Sequence, residues 1–187
     1  MTTDNGPLTI MRFFPFFILA YFALGIQFGL TGYGAIYQAR PNLVLLVAIF
    51  IAVNAHRDAG LLGCFLLGFM QDLLSSQSPL GLNAFSYGVI GMIVINTQEF
   101  VYSDHFLTHI SLGLLGGLMY ALLVYTHGWV YFSLLHGSLK MTRPSAGPLV
   151  VSAFYTAALA PFVLALLRKM KRIFGFRPLR SHGNGRR

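Results

Sequence analysis

The sequence predicts an all-α protein, a polytopic membrane bundle of about six transmembrane helices, and three observations carry that reading. Of the 187 residues, 56% are hydrophobic and only 10% are charged, where a soluble domain carries about 25% charged residues. Five acidic side chains cannot make a water-facing surface for a chain of this size, so the apolar surplus faces lipid. The apolar residues also fall into six runs parted by polar or Gly/Pro-rich stretches, most of them near the ~20 residues that a bilayer crossing needs.

The first span is expected over residues 11–30. Arg12 precedes it as in a signal peptide, but the run exceeds the usual apolar stretch of about 7–15 residues and further spans follow, so an uncleaved helix is expected. A Gly- and Tyr-rich loop then closes on Arg40 and Pro41. The second span, 43–55, is short. His56, Arg57 and Asp58 make a tight polar turn into the third, 59–75. Ser, Pro and Gly punctuate the turn at 75–81, and the fourth span covers 82–96. A polar stretch holding Glu99 and Asp104 leads to the fifth, 106–126. Residues 128–147 read as the longest connection, with Trp129, Tyr131 and Phe132 suited to an interfacial belt. The sixth span, 148–167, precedes a basic tail from about 168. With no repeat and no linker, residues 1–187 read as one membrane domain.

The formal net charge of +8 is unevenly placed: eight of the thirteen Lys and Arg residues lie from Arg168 onward. A basic tail after an apolar body suits anionic lipid headgroups rather than nucleic acid. An even number of spans puts both termini on one side. With the termini inside, ten basic residues fall on that side and three (Arg40, Lys140, Arg143) on the other, which predicts cytoplasmic termini.

Small residues recur at every fourth position and so share a helix face. Gly25 and Gly29 do so in span one. Gly60, Cys64 and Gly68 do so in span three, and the next step on that ridge is Asp72. Span five carries Gly113, Gly117 and Ala121, a candidate helix-contact face. Span six carries Ala153 and Ala157, then Pro161.

Asp72, beside Gln71, is the single carboxylate inside a predicted span. An intramembrane carboxylate is costly and marks a site by default. At a helix C-terminus the dipole opposes it, so it needs a partner. Pairing with Arg40, or capping the fourth span near Gly81, is the expected role. His105 and His109 have metalloprotease spacing, but Phe106 stands where the glutamate belongs. His136, Gly137 and Ser138 lack an oxyanion donor pair, and Lys140, Arg143 and Pro144 lack the partners of a lipid-phosphatase motif. Lone Cys64 reads as a small buried residue. No catalytic site, metal or cofactor is expected.

A family pattern lies over residues 40–83. Arg40-Pro41-Asn42 opens span two, a Gly-rich third span ends in Gln71-Asp72-Leu73-Leu74-Ser75, and Pro79-Leu80-Gly81 opens the fourth. This order resembles the rod shape-determining MreD family, in which Asp commonly stands where this chain has Asn42. The resemblance implies a fold similar to the substrate-binding subunits of energy-coupling-factor vitamin transporters, and no catalysis. It implies a plasma-membrane scaffold working with MreC, the actin-like MreB, and the RodA glycosyltransferase with its transpeptidase in lateral peptidoglycan synthesis. The alternative is a vitamin-binding transporter subunit of the related fold. That class carries an Ala-x-x-x-Ala stripe on its first helix, whereas here Ala20 and Ala23 have the wrong spacing.

Overall fold

The structure is a computed structural model that describes residues 13–29, 39–75, 79–97, 106–134 and 145–174. Among these residues six helices follow one another: α1 (Phe13–Gly29), α2 (Leu43–Asn54), α3 (Arg57–Leu74), α4 (Leu82–Asn96), α5 (Phe106–Leu134) and α6 (Ala146–Phe174). The described residues contain no strand. Arg12, His105, the segment holding His136, Lys140 and Arg143, and the tail beyond 174 lie outside them.

The helix at the centre is α2. Its sequence, from Leu43 to Val53, is apolar on every face, and a helix of that kind is buried all round. Nine successive residues, Val44 to Ala52, are buried, and α2 touches each of the other five helices. Asn42 starts it by accepting a hydrogen bond from the Leu45 N–H (3.0 Å), the usual N-cap geometry.

Around this axis the small-residue ridges meet. On α3, Gly60, Cys64 and Gly68 all face α4. A methyl group added at Gly68 would lie 2.4 Å from the Asn83 carbonyl oxygen, and one at Gly91 would lie 2.8 Å from Cys64 Sγ. Backbones this close need glycine at the crossing. The Cys64 thiol donates to the Ala48 carbonyl (3.3 Å), so the lone cysteine is a packing residue. The far ends of the pair are tied by Arg57, which donates to Asn96 Oδ1 (3.2 Å). On α5, added methyl groups at Gly113 and Gly117 would lie 2.5 Å from Ala160 Cβ and 3.0 Å from Ala153 Cα. The contact face expected on α5 is therefore used inside the bundle, against α6.

Large apolar side chains cover the outside. Tyr21 and Phe22 on α1, Leu62 and Leu73 on α3, Phe85 and Met92 on α4, Leu115 and Leu122 on α5, and Phe154 and Phe162 on α6 are all exposed. Such a surface would aggregate in water and fits lipid. Two helices, over Thr108–Leu134 and Ala146–Lys169, are long and apolar enough to cross a membrane.

Two expected boundaries are corrected. Helix α5 runs to Leu134, so Trp129 and Phe132 are helical rather than part of a loop. Helix α6 runs to Phe174, so the basic tail begins as helix.

Candidate functional site: a buried polar network

Successive helices run antiparallel, which gathers the ends of α1, α3 and α5 with the starts of α2, α4 and α6. At this end an irregular segment, Arg40-Pro41-Asn42, enters α2. Irregular backbone in an apolar bundle needs its polar groups satisfied by side chains. Gln27 of α1 supplies two bonds: its Nε2 donates to the Pro41 carbonyl (2.9 Å) and its Oε1 accepts from the Leu43 N–H (2.7 Å). Helix α6 supplies the others. Ser152 Oγ donates to the Arg40 carbonyl, and Thr156 Oγ1 accepts from the Asn42 N–H (2.9 Å) while donating to the Ser152 carbonyl (2.7 Å).

Tyr87 of α4 links this segment to α3. Its hydroxyl donates to Asn42 Oδ1 (2.9 Å) and lies 2.6 Å from the Gln71 amide. A phenol has one proton, so with that proton on Asn42 Oδ1 the hydroxyl accepts from the NH2 group of the Gln71 amide. Both contacts to the Asn42 side chain use its oxygen. The Asn42 amide thus serves as an acceptor in both contacts.

Asp72 anchors a second cluster, which touches the first through the tilted ring pair Tyr87–Tyr120 (centroids 5.7 Å apart). Buried to 2% exposure, its Oδ2 accepts from the Gly81 and Ala84 N–H groups (3.0 Å each). Its Oδ1 accepts from the Asn83 N–H (3.1 Å) and Asn83 Nδ2 (2.9 Å). A carboxylate at the first turn of a helix satisfies orphan N–H groups and faces the positive end of the dipole. Gly81, at φ +97°, makes the left-handed turn that aims its N–H at the carboxylate, a conformation that favours glycine. Pro79 precedes it, and its carbonyl accepts from the Leu82 N–H (3.3 Å). Tyr120 of α5 donates to Asn83 Oδ1 (2.7 Å).

Of the two partners expected for Asp72, the start of α4 is the one present. The pairing with Arg40 is corrected: Arg40 is exposed and makes no ion pair with Asp72, whose carboxylate is filled by α4. Asn42 and Gln71 share one hydrogen-bonded cluster, with the Arg40 and Pro41 carbonyls at its edge, and Asp72 and Gly81 share the neighbouring one. Gly113, Gly117 and Ala121 lie away from it on α5. Gln27, Asn83, Tyr87, Tyr120, Ser152 and Thr156 were not anticipated. One signal was available. Asn83 and Tyr87, like Ser152 and Thr156, are polar pairs four apart in apolar spans, a spacing that aims both at one neighbour. Ser86 is the exception to the pairing, fully buried with no partner for its hydroxyl among the described residues. The described residues hold no metal-binding group of three His, Cys, Asp or Glu.

A helical bundle that is apolar outside, with its buried polar side chains joining one helix to another, belongs to the class of integral membrane proteins. Within that class the chain belongs to the rod shape-determining protein MreD family, whose model matches residues 8–170, a span that takes in all but the end of α6. Neither curated proteins nor solved structures give a match. Membership gives the protein a role in determining rod shape.

Proposed function

We propose that this protein is a non-catalytic membrane scaffold of the cell-wall elongation complex. It binds MreC and helps to organise lateral peptidoglycan synthesis, together with MreB and the RodA glycosyltransferase–transpeptidase machinery. One observation beyond family membership carries this reading: the buried polar groups that a sequence reader would suspect of chemistry are engaged with one another. Asp72 accepts four hydrogen bonds from α4 and its preceding turn, and Asn42, Gln71 and Tyr87 bond across α2, α3 and α4. That is the design of a fixed frame whose working parts are its outer helix faces. With the α5 stripe turned toward α6, partner contact falls on faces that stay exposed.

The proposed setting is the plasma membrane, crossed several times by one domain with both termini cytoplasmic. The ten-to-three division of basic residues and the alternating helix directions support it. The kinship in fold with energy-coupling-factor substrate-binding subunits belongs to the same proposal. Depletion in a rod-shaped host tests the function, with co-purification from mild detergent to find the partners. Rounded cells, dispersed lateral wall synthesis and recovery of MreC are expected. Depleted cells that stay rod-shaped but lose uptake of a vitamin-like solute would move the protein to the transporter class.

A further inference from the structure

The helices of this bundle come in two lengths. Helix α2 has 12 residues and α4 has 15, or about 18 and 22 Å. On α3 the exposed apolar side chains run from Leu61 to Leu74, a band of about 20 Å. Helices α5 and α6 have 29 residues each, or about 43 Å. No Asp, Glu, Lys or Arg interrupts α5, and none precedes Arg168 in α6. A hydrocarbon layer of ~30 Å suits this pair and overshoots the others.

The mismatch shows at the polar end of the bundle, where hydrogen bonds set the helices level. Gln27 of α1 meets the start of α2, Asn42 meets Thr156, and Asn83 meets Tyr120. Helices α1 to α4 start or stop there. Helix α5 continues from Tyr120 to Leu134, about 21 Å, and α6 begins at Ala146, about 9 Å beyond Ser152. This rise is coated with exposed apolar side chains: Leu122, Val130 and Leu134 on α5, Val150 and Val151 on α6. It calls for lipid at a height where the other four helices have ended.

What stands at the lower level is polar. Arg40 is exposed. Asp72, the one acid of this end, is taken by α4, and the connections that close here, 30–38, 76–78 and 135–144, hold no carboxylate in their sequence. Leu80 is 69% exposed, so the rest of the chain does not roof the α3–α4 turn. A guanidinium and irregular backbone held in hydrocarbon are expensive. A bilayer meets a short segment more cheaply by thinning beside it, and a phosphate brought down in that way is the natural partner of a guanidinium.

We propose that the protein holds the membrane at two thicknesses. Beside the α5–α6 hairpin the leaflet stands at full height. Around α1 to α4 the phospholipids of the same leaflet sink by about 8–12 Å, until their phosphates reach Arg40. This goes beyond the scaffold reading and does not depend on which proteins the bundle meets or which way it faces.

The test uses the purified full chain, reconstituted alone in vesicles of phosphatidylcholine and phosphatidylglycerol. One set has a hydrocarbon layer of ~30 Å, and a second has shorter chains that match α2 and α4. A nitroxide is attached at Ile26→Cys, Phe85→Cys or Leu122→Cys, all exposed positions, while the fully buried Cys64 stays unlabelled. Depth is read from collisions with oxygen and with a water-soluble nickel chelate. In the frame of the protein Leu122 stands about 6 Å farther out than Phe85, because α5 climbs from Tyr120 while α4 descends from its partner Asn83. In the thicker vesicles the Ile26 and Phe85 labels should nevertheless lie no deeper than the Leu122 label. In the thinner ones, where no lipid need sink, the Leu122 label should be the shallowest. A Leu122 label shallower by about 6 Å than Phe85 in both sets would mean a flat leaflet and overturn the proposal. Equal depths in both sets would trace the result to the helix frame instead of the membrane, and would overturn it too. Arg40→Gln should carry the Ile26 label deeper in the thicker vesicles, and an unchanged depth would overturn the phosphate contact. Ile26 and Phe85 lie on different helices, so if one labelled variant fails to fold the other still decides the comparison.

Discussion

Asp72 holds Asn83 twice, through the backbone N–H and through the side-chain amide, both on the same carboxylate oxygen. The two residues sit on opposite sides of the α3–α4 turn, so a contact between neighbouring helices also starts the second of them. Asn83 passes the connection to α5 through Tyr120.

Removing that carboxylate leaves three backbone N–H groups and an amide without their acceptor. Asp72→Ala should cost about 2–4 kcal/mol, read as earlier thermal unfolding in detergent and a lower steady-state level in the membrane. Asp72→Asn keeps one acceptor oxygen and should lose less. Because Arg40 is not the partner, the swap Arg40→Asp with Asp72→Arg should show additive losses. Mutual rescue in that double-mutant cycle would restore the ion pair that the structure lacks.

Glycines should divide by what faces them. Gly68→Ala drives a methyl group against the Asn83 backbone oxygen and should cost about 1–3 kcal/mol. Gly25→Ala meets nothing within 4 Å and should be neutral or slightly stabilising, since alanine is the better helix former. Equal unfolding temperatures for the two variants would contradict the α3–α4 packing.

Gly117→Leu forces a branched side chain into Ala153 and should lower accumulation in the membrane. Immunoblotting of membrane fractions, beside co-purification of partners, separates packing from partner capture. Normal accumulation with lost capture would mean that this face of α5 serves a partner instead of α6.

Tyr87→Phe deletes the hydroxyl shared by Asn42 and Gln71. Leaving buried amides short of a partner costs about 1–3 kcal/mol. Tyr120→Phe should cost less, because its bond to Asn83 is only part-buried. Thermal unfolding of the two variants in one detergent gives the order, and a larger loss for Tyr120→Phe would refute it.

A phosphatase fused after Arg187 should be inactive and a fluorescent protein fused there should be bright, as expected for a cytoplasmic C-terminus. An active phosphatase at that end would reverse the orientation.

The α3 ridge was legible because its spacing is the message: three small residues and then Asp72, four apart each time, set a close crossing with a carboxylate at its end. The extent of α5 was hidden. Thr126, His127 and Gly128 look like the start of a loop, but the Thr126 hydroxyl donates back to the Leu122 and Leu123 carbonyls (2.9 and 3.0 Å). The helix absorbs its polarity in that way. Trp129 similarly donates to the Tyr125 hydroxyl one turn earlier (2.9 Å). Gln27 of α1 was unreadable for a different reason. It is a single polar residue that sets no period and matters only through Pro41 and Leu43 beyond the next loop, whereas the spacing of Ser152 and Thr156 on α6 was visible but not the segment that the pair meets.

The central place of α2 has a consequence for how the protein is made. It leaves the ribosome early, yet the N–H of Asn42 waits for Thr156, 114 residues later in the chain. Until α6 is synthesised, the entry to α2 lacks the side chains that satisfy it, and one flank of the central helix is covered by lipid instead of protein. At about 18 Å long, α2 is also too short to match the ~30 Å hydrocarbon layer without the longer helices beside it. Translation therefore has to pass α6 before α2 can settle, and chains cut short ahead of Thr156 should be cleared by membrane proteases instead of persisting as partial bundles.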